Sequence, residues 1–571
     1  MKANRLMIDQ QRFFGRAFVV MAGVCAAAPL MAQVVRPDAG TLQRDLDQRP
    51  LQVPRAGPQL KPAPARPALQ GDATTRFRVA GLRVTGNTVF TADTLLALVK
   101  DDLVGKQVTL AELQAAANKI SVYYRDRGYF VARAYIPAQE LSITGGEVEI
   151  AVLEGVLGGL RVQNRSRLSD AAVGRFLAPL KTGEIISADV FERPILLLSD
   201  QAGVSGVNPV LEPGAQTGSS DLSVEVGSAP LVTGSVELDS WGSRVTGKNR
   251  LSGQINLLSP FGLGDSLTVR VTDSFAGISS GSVRAAVPLG GSGLKAGLGY
   301  SATRYSLGQE FANLNATGDS RNLSSFVSYP LVRSQGWNLN AMLAYEDKRL
   351  EDRVGATATV TPKSNRASTL TLSGDVRDPL VVNSVLVWNA AYSGGSIGIG
   401  EAAANAADAT SARTQGSYDK FNASMLYLQA LGSQWTFYFT GQVQVAGKNL
   451  DSSEKFSLGG AQGVRSYPSG EASGDEGASA TVEMRYGLPQ WLGATPSLVL
   501  FVDHGHVRIN KNPFATGRNS RDLGAAGIGV TFVKEADFAL RAFWGKKTTG
   551  DPATADNDRS GRGWVQMVKY F

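Results

Sequence analysis

The chain has 571 residues, of which 43% are hydrophobic and 19% charged, with 64 glycines, one cysteine and a net charge of +7. That length fits two or three compact domains, and the glycine-rich, charge-poor balance suits a β-rich exported protein better than a cytosolic α/β enzyme. The basic residues are scattered among acidic neighbours and form no block, which argues against nucleic acid as a partner.

At the start, Lys2, Arg5, Arg12 and Arg16 precede an apolar stretch over residues 17–31, and Ala26, Ala27, Ala28 and Ala32 supply small residues for cleavage. This predicts a secretory signal peptide over 1–32 rather than a membrane anchor, because the apolar run is short and contains Pro29. Val24 stands where a lipoprotein signal would need a small residue, so Cys25 is not read as a lipidation site. Cleavage removes Cys25 and leaves neither disulfide nor thiolate chemistry. No later stretch is apolar for long enough to form a transmembrane helix, so a membrane crossing requires a closed barrel.

Residues 38–48 predict a short helix with Leu42 and Leu46 one turn apart and Pro50 as its stop; alone it is marginal in water. Pro50, Pro54, Pro58, Pro62, Pro64 and Pro67 then mark an extended linker, completing a segment over 33–73. Residues 74–156 read as a small α+β module. A strand over 77–84 leads to a turn at Gly86-Asn87 and a helix over 91–100; a second helix opens at Thr109 with Glu112 as a capping box and stops at Gly128. Strands over 129–136 and 147–153 complete a β-α-α-β-β order. The order repeats over 157–230, with strands at 160–163, 204–211 and 221–226 and helices at 169–180 and 187–199.

Beyond residue 231 helical spacing disappears. Trp435, Phe437 and Phe439 alternate with Thr436, Tyr438 and Thr440, and Trp337, Leu339, Ala341, Leu343 and Tyr345 form a similar apolar row. Tight turns are expected near Pro260, Pro288, Pro330, Pro379, Gly432, Pro489 and Glu535. Long polar loops are expected near Trp241, Ala276, Phe311, Val354, Asn405, Arg465, Thr516 and Ala553. These connections separate sixteen antiparallel strands with both ends on the short-turn side. A β-sandwich would turn an apolar face inward; here the second face is polar, as a watery lumen requires, so 231–571 is read as a transmembrane β-barrel.

His504 and His506 share a strand face without a further ligand and are read as polar strand-end residues, not a metal site. No nucleophile triad or phosphate loop stands out, so neither catalysis nor a cofactor is expected.

Residues 456–467, Phe-Ser-Leu-Gly-Gly-Ala-Gln-Gly-Val-Arg-Ser-Tyr, and 501–505, Phe-Val-Asp-His-Gly, resemble motifs of the TpsB family of two-partner secretion outer-membrane transporters. These are the haemolysin-activator and filamentous-haemagglutinin type of the POTRA-bearing barrel superfamily. Gly86-Asn87-Thr88-Val89-Phe90 is similar to the turn that opens a POTRA domain. The resemblance covers nearly the whole mature chain and implies two POTRA domains, 74–156 and 157–230. It also implies a sixth loop folded into the lumen, where Val464, Arg465, Ser466 and Tyr467 meet Phe501, Asp503 and Gly505 of the wall and Arg465 pairs with Asp503. Such a pair in a confined lumen fixes a loop through charge-assisted hydrogen bonds. Ser466 stands where the family has glycine, which bears on the local backbone geometry. Glu483 and Arg485 are either members of the same lumen network or ordinary solvated barrel charges.

The implied function is capture of an unfolded exoprotein by the POTRA domains in the periplasm and its passage through the lumen without nucleotide hydrolysis, with residues 38–48 as a plug helix. The implied partners are a TpsA-like exoprotein, outer-membrane lipid and, during biogenesis, the barrel-assembly machinery; the transporter itself is expected to be monomeric. One rival is an outer-membrane protein assembly factor of the same superfamily, which usually carries more POTRA modules. A passive porin is the other, and it predicts no periplasmic domain. Phe571 is the terminal aromatic of an assembly signal over 563–571, although Lys569 occupies a position that favours an aromatic or apolar residue.

Overall fold

The computed structural model describes residues 36–47, 50–54, 57–58, 75–140 and 146–571. The expected signal peptide and Pro62, Pro64 and Pro67 of the linker lie outside them. Helix α1 spans Ala39–Asp47. Asp38 begins it by accepting from the Thr41 amide and hydroxyl, both at 2.9 Å, which satisfies a donor that the first helical turn leaves open.

The first module contains β1 Arg76–Arg78, β2 Gly81–Thr85, α2 Ala92–Ala97, α3 Lys100–Leu103, β3 Gln107–Thr109, α4 Leu110–Asp126, β4 Arg133–Tyr135 and β5 Glu147–Leu153. The single strand expected over 77–84 is two. β1 pairs with β3, whereas β2 joins the sheet β2-β5-β4, because the chain changes partners at Val79 and Ala80. The Val79 amide bonds Lys106 and the Ala80 amide bonds Gly146. The helix expected over 91–100 ends early, its last amides tightening to bonds three residues back (Leu98 to Leu95, Val99 to Leu96) before α3 restarts. The strand expected over 129–136 shrinks to β4, since Tyr129 and Ala132 spend their amides in a turn.

The capping box of α4 is present, with Thr109 and Glu112 bonded reciprocally. Gly86 adopts φ +76°, and a Cβ there would lie 2.3 Å from the Val152 carbonyl oxygen, so both the turn and the close approach require glycine. Beside it, buried Glu154 accepts from the amides of Thr88 (2.7 Å) and Val89 (2.8 Å), the Thr88 hydroxyl and the Tyr124 hydroxyl (2.8 Å). Burial pushes this carboxyl upward, but the four donors outweigh it and hold it below the ordinary carboxylate range.

The second module follows as β6 Val156–Asn164, α5 Asp170–Leu177, α6 Ala188–Ser199, β7 Val204–Pro213 and β8 Ser219–Ser228, in a sheet ordered β6-β8-β7. Phe176, Phe191, Leu198 and Val224 centre its core, and Phe130 and Val131 of the first module pack against that core. This module sits on the short turns at one end of the barrel. Arg333 grips Asp200 with two bonds of 2.7 and 2.9 Å, Arg193 donates to the Pro330 carbonyl at 2.6 Å, and the Ser169 amide donates to Gly262 at 2.9 Å.

The barrel strands are β9 Val232–Asp239, β10 Arg250–Leu258, β11 Ser266–Asp273, β12 Ile278–Pro288, β13 Lys295–Ser306, β14 Ala316–Arg333, β15 Trp337–Val354, β16 Thr359–Arg377 and β17 Ser384–Ile399. After α7 (Ala402–Thr410) come β18 Gly416–Leu431 and β19 Trp435–Ala446. The short strands β20 Phe456–Ser457 and β21 Ser473–Gly474 lie within loop 6, and β22 Glu476–Gly487, β23 Thr495–Arg508, β24 Ser520–Lys534, β25 Phe538–Gly550 and β26 Gly561–Tyr570 complete the wall. All except β20 and β21 close into one antiparallel barrel of sixteen strands, with β26 paired to β9. The apolar rows face outward, as half-exposed Trp337, Leu343 and Tyr345 do.

Two connections expected to be long loops, near Ala276 and Val354, are tight. The β11-β12 ladder continues to Asp273 opposite Ser279, and β14, β15 and β16 run for 18, 18 and 19 residues, pairing up to Val354 opposite Thr359. The turn expected near Pro330 falls at 334–336, because Pro330 sits inside β14 at a register shift, where a missing amide is tolerated. The last strand stops at Tyr570, and Phe571 extends the seam through two backbone bonds with Gly234. Lys569 faces outward at the periplasmic end, where it meets Asp537.

In the full-length protein, Glu154→Ala leaves four donors without their acceptor. It should destabilise the first module by about 3 kcal/mol, measured as a lower urea midpoint for the periplasmic region; an unchanged midpoint would contradict a structural role for the carboxylate.

Candidate functional site

Residues 447–475 form loop 6, which folds inward instead of leaving the barrel mouth. Phe456, Leu458, Val464, Tyr467 and Ala472 are buried against Val507, Leu523 and Ala525, a small apolar patch on an otherwise polar inner wall. The period of two puts Phe501, Asp503 and Gly505 of β23 on the buried, lumen-facing side. Gly505 leaves the room that Leu458 fills, since a Cβ there would stand 2.5 Å from the leucine's Cδ2.

Arg465, 4% exposed, reaches the wall at that point. Its Nε and Nη2 donate to the two Asp503 oxygens at 2.9 and 2.7 Å, its amide also reaches Asp503 Oδ2 at 3.0 Å, and Nη1 donates to Glu483 Oε1 at 2.7 Å. The guanidinium lies 3.4 Å from the centre of the Phe501 ring. Gly527 makes space for that ring, since a Cβ would come within 2.5 Å of it. Burial opposes the charged form of Arg465, but Asp503 and Glu483 outweigh it and raise its affinity for the proton.

The remaining sequence-predicted residues fall around this pair. Glu483 also accepts from Arg485 at 2.6 and 2.8 Å, and Arg485 stacks 4.0 Å from the Tyr438 ring centre, so both charges join the network. Ser466 keeps a negative φ and donates to the Gly524 carbonyl at 3.4 Å, which explains how serine is tolerated at the glycine position. Tyr467 is fully buried, and its hydroxyl donates to the Asp551 backbone carbonyl at 2.9 Å. Val464 belongs to the apolar patch. His504 and His506 point out of the barrel, with His506 beside Asp522 at 2.8 Å.

Helix α1 lies inside the lumen. Leu42 is buried and Leu46 half-buried against Tyr305, Leu307 and Leu350. The Ala39 amide donates to Asp352 at 2.9 Å, Gln43 accepts from Thr303 at 2.8 Å, and Lys363 stands 3.5 Å from Asp38. Burial pushes the Asp38 carboxyl upward, but Lys363 and the Ser452 hydroxyl reverse this and lower it. The far side of the helix rests on loop 6. Arg44 donates to the Lys455 carbonyl at 3.0 Å and the Ser473 hydroxyl at 2.9 Å, while a Cβ on Gly40 would lie only 2.9 Å from that of Ser453.

Several residues of the site carry no motif. Glu454 of loop 6 receives Lys420 at 2.7 Å, Asn365 at 2.7 Å and Lys348 at 3.2 Å; burial works against its charge, yet the lysines hold its pKa at about 2. Glu471 ties loop 6 to Arg521 of β24 at 2.6 Å and to loop 8, residues 551–560 between β25 and β26, through the amides of Thr554 and Ala555, each at 2.8 Å. Trp564 of the last strand donates to the Arg465 carbonyl at 2.7 Å. The one signal for Trp564 is an aromatic on the polar face of its strand.

A family model for the haemolysin secretion/activation protein ShlB/FhaC/HecB matches residues 218–532, and one for the ShlB-type POTRA domain matches 77–155. The chain belongs to this family, the TpsB transporters of two-partner secretion. The heme/hemopexin transporter protein HuxB of Haemophilus influenzae is 28% identical over 569 residues, 97% of this chain and 98% of that one. The outer membrane transporter CdiB of Dickeya dadantii is 24% identical over 481 residues, 82% of each. The solved structure of CdiB from Escherichia coli shares the fold with a TM-score of 0.69 at 18% identity, covering 99% of this chain and 98% of that one. As a TpsB protein the chain resides in the outer membrane with its POTRA domains in the periplasm, in a family of transporters that work with secreted TpsA-like exoproteins.

Arg465→Ala strands the buried Asp503, leaves Glu483 with Arg485 alone and should destabilise the closed loop by about 3–5 kcal/mol, seen as a lower melting temperature of the folded barrel on heat-modifiability gels. Arg465→Lys keeps the charge but not the two-pronged grip and should fall between. A depressed carboxylate stabilises above its ordinary pKa and loses that contribution only as pH falls through the lowered value, so Glu454 should hold loop 6 in place from pH 7 to 4. Single-channel conductance should stay low across that range; opening by pH 4 would contradict the assignment.

Proposed function

We propose that this transporter captures one unfolded exoprotein on its two periplasmic modules and exports it through the barrel after α1 withdraws, while loop 6 stays attached to the wall. The observation that carries this reading is the contrast between the two lumen occupants. Helix α1 has nine residues, is too short to be stable alone, and is held by the packing of Leu42 and Leu46 and by separate polar contacts at Ala39, Gln43 and Arg44, with Asp38 3.5 Å from Lys363. Loop 6 is held by a buried two-pronged ion pair and an apolar patch. The helix is therefore the occupant that leaves.

Its tether supports the same direction of exit. The carbonyls of Pro54 and Pro58 accept from Arg377 at 3.1 Å and Gln335 at 2.8 Å, at the periplasmic ends of the wall. Two modules also present open sheet edges, β2 and β4 in one and β6 and β7 in the other, where an extended client can add a strand through backbone pairing without a fixed side-chain sequence. No nucleotide is required if folding or binding outside the cell draws the client forward. The full-length likeness to a heme/hemopexin transporter makes a haem- or hemopexin-related exoprotein the first client to test.

Photo-crosslinkers at Arg83 on β2 and Val162 on β6 should trap the exoprotein during export, and failure at both edges would remove strand addition from the account. Deleting residues 36–47 should raise channel conductance severalfold with the barrel still inserted. Arg465→Ala should insert but secrete poorly, and normal secretion by that variant would count against a role for the loop anchor.

A further inference from the structure

We infer that the outer face of β13–β16 binds the phosphate groups of a phosphorylated glycolipid in the outer leaflet. The outward positions of β15 at 337, 339, 341, 343 and 345 are Trp, Leu, Ala, Leu and Tyr, and those of β14 run from Leu331 to Leu323. Each stretch has the length a strand needs to cross the hydrocarbon core, about 9–11 residues. Immediately beyond this belt, on the side opposite the periplasmic modules, four neighbouring strands each turn an exposed arginine outward: Arg304, Arg321, Arg349 and Arg366. That is the height of lipid headgroups, not of the acyl chains below or of the loops above.

These arginines are poorly satisfied by the protein. Arg321 stands directly opposite Arg349 in the strand register, an arrangement of like charges that destabilises a sheet unless an anion lies between them. Asp319 is 3.6 Å from Arg321, and Asp347 is 3.9 Å from Arg349 and 3.5 Å from Arg366, all at or beyond the limit of a hydrogen bond. Arg304 stands opposite Asp319 in the strand register, but that carboxylate lies nearer Arg321 and Arg353, and Arg304 has no ion pair among the described residues. Arg349 keeps 74% of its side chain exposed, and Arg321 and Arg366 keep 62% and 64%. By contrast Arg353, higher on β15, is already paired with Glu351. Flat guanidinium forks with free donors at headgroup height match phosphate monoesters, and the apolar rows of Leu323, Leu343 and Leu370 beneath them match acyl chains. The remainder of the extracellular rim has no comparable run of adjacent outward arginines among the described residues.

The test uses the full-length protein in detergent, titrated with diphosphoryl lipid A and read by native mass spectrometry. The variant Arg321→Gln, Arg349→Gln, Arg366→Gln should bind about tenfold more weakly, because it removes three charge-assisted contacts. Arg508→Gln, an outward arginine on the far wall, should bind as the parent does. Dephosphorylated lipid A should bind the parent as weakly as the triple variant binds the intact lipid, and millimolar inorganic phosphate should not compete. Heat-modifiable migration reports whether the triple variant is folded; should it fail, Arg349→Gln alone replaces it, with a smaller loss expected. Equal affinity in the variant, an equal loss in Arg508→Gln, undiminished binding of the dephosphorylated lipid, or displacement by free phosphate each overturns the proposal.

Discussion

A guanidinium withdrawn from water must find fixed carboxylates, and Arg465 finds two of them on neighbouring strands of the wall, Asp503 and Glu483. Because Asp503 is held at both oxygens and also accepts from Thr481, the direction of the arginine is set as well as its charge. The course of loop 6 through the lumen follows from this. The loop that carries Arg465 cannot extend outward while the pair is intact, so its earlier residues, Ser452 to Lys455, become an inner surface on which a helix can rest. Gly40 meets that surface closely, and Arg44 donates to its carbonyls. The closed channel is thus nested: wall fixes loop, and loop seats helix.

The nesting also separates the strengths of the two contacts. Loop 6 combines a buried ion pair, an aromatic face over the guanidinium, Trp564 on the Arg465 carbonyl and Glu471 tied to loop 8. The helix packs through Leu42 and Leu46 and through separate polar bonds, beside a cavity lined by Gln43, Arg44, Lys348 and Lys420. A client that displaces the helix therefore need not dismantle the loop. The periplasmic architecture suits such a sequence of events, since the second module is clamped to turns on one side of the barrel through Arg333 and Arg193 and leaves the tether beside Arg377 and Gln335.

Much of this was legible in the residues because it follows from short-range rules. Period-two alternation marks the barrel wall at 337–345 and 435–440, the Thr109 and Glu112 box marks α4, and the Arg465 and Asp503 motifs mark the loop and the wall. The loop misread near Val354 carries polar residues because β15 and β16 run well beyond the length that crosses a membrane, and polarity alone does not distinguish an extended hairpin from a loop. Val79 and Ala80 look like the middle of one strand, yet tertiary partners at Lys106 and Gly146 divide it. Glu454, Glu471 and Asp352 were invisible for a different reason: each is a single acid whose partners come from elements dozens of residues away, so no spacing in the chain reveals them.

The most direct test of a helix that must leave a loop that stays is to tie the two together. Asp38→Cys with Ser452→Cys places two thiols where a loop 6 hydroxyl already meets the side chain that starts the helix, in a mature chain expected to have no other cysteine. Secretion of the partner exoprotein should stop when the disulfide forms and return on reduction, with neither single variant sensitive to oxidant. Undiminished secretion through a quantitatively crosslinked transporter would contradict the account.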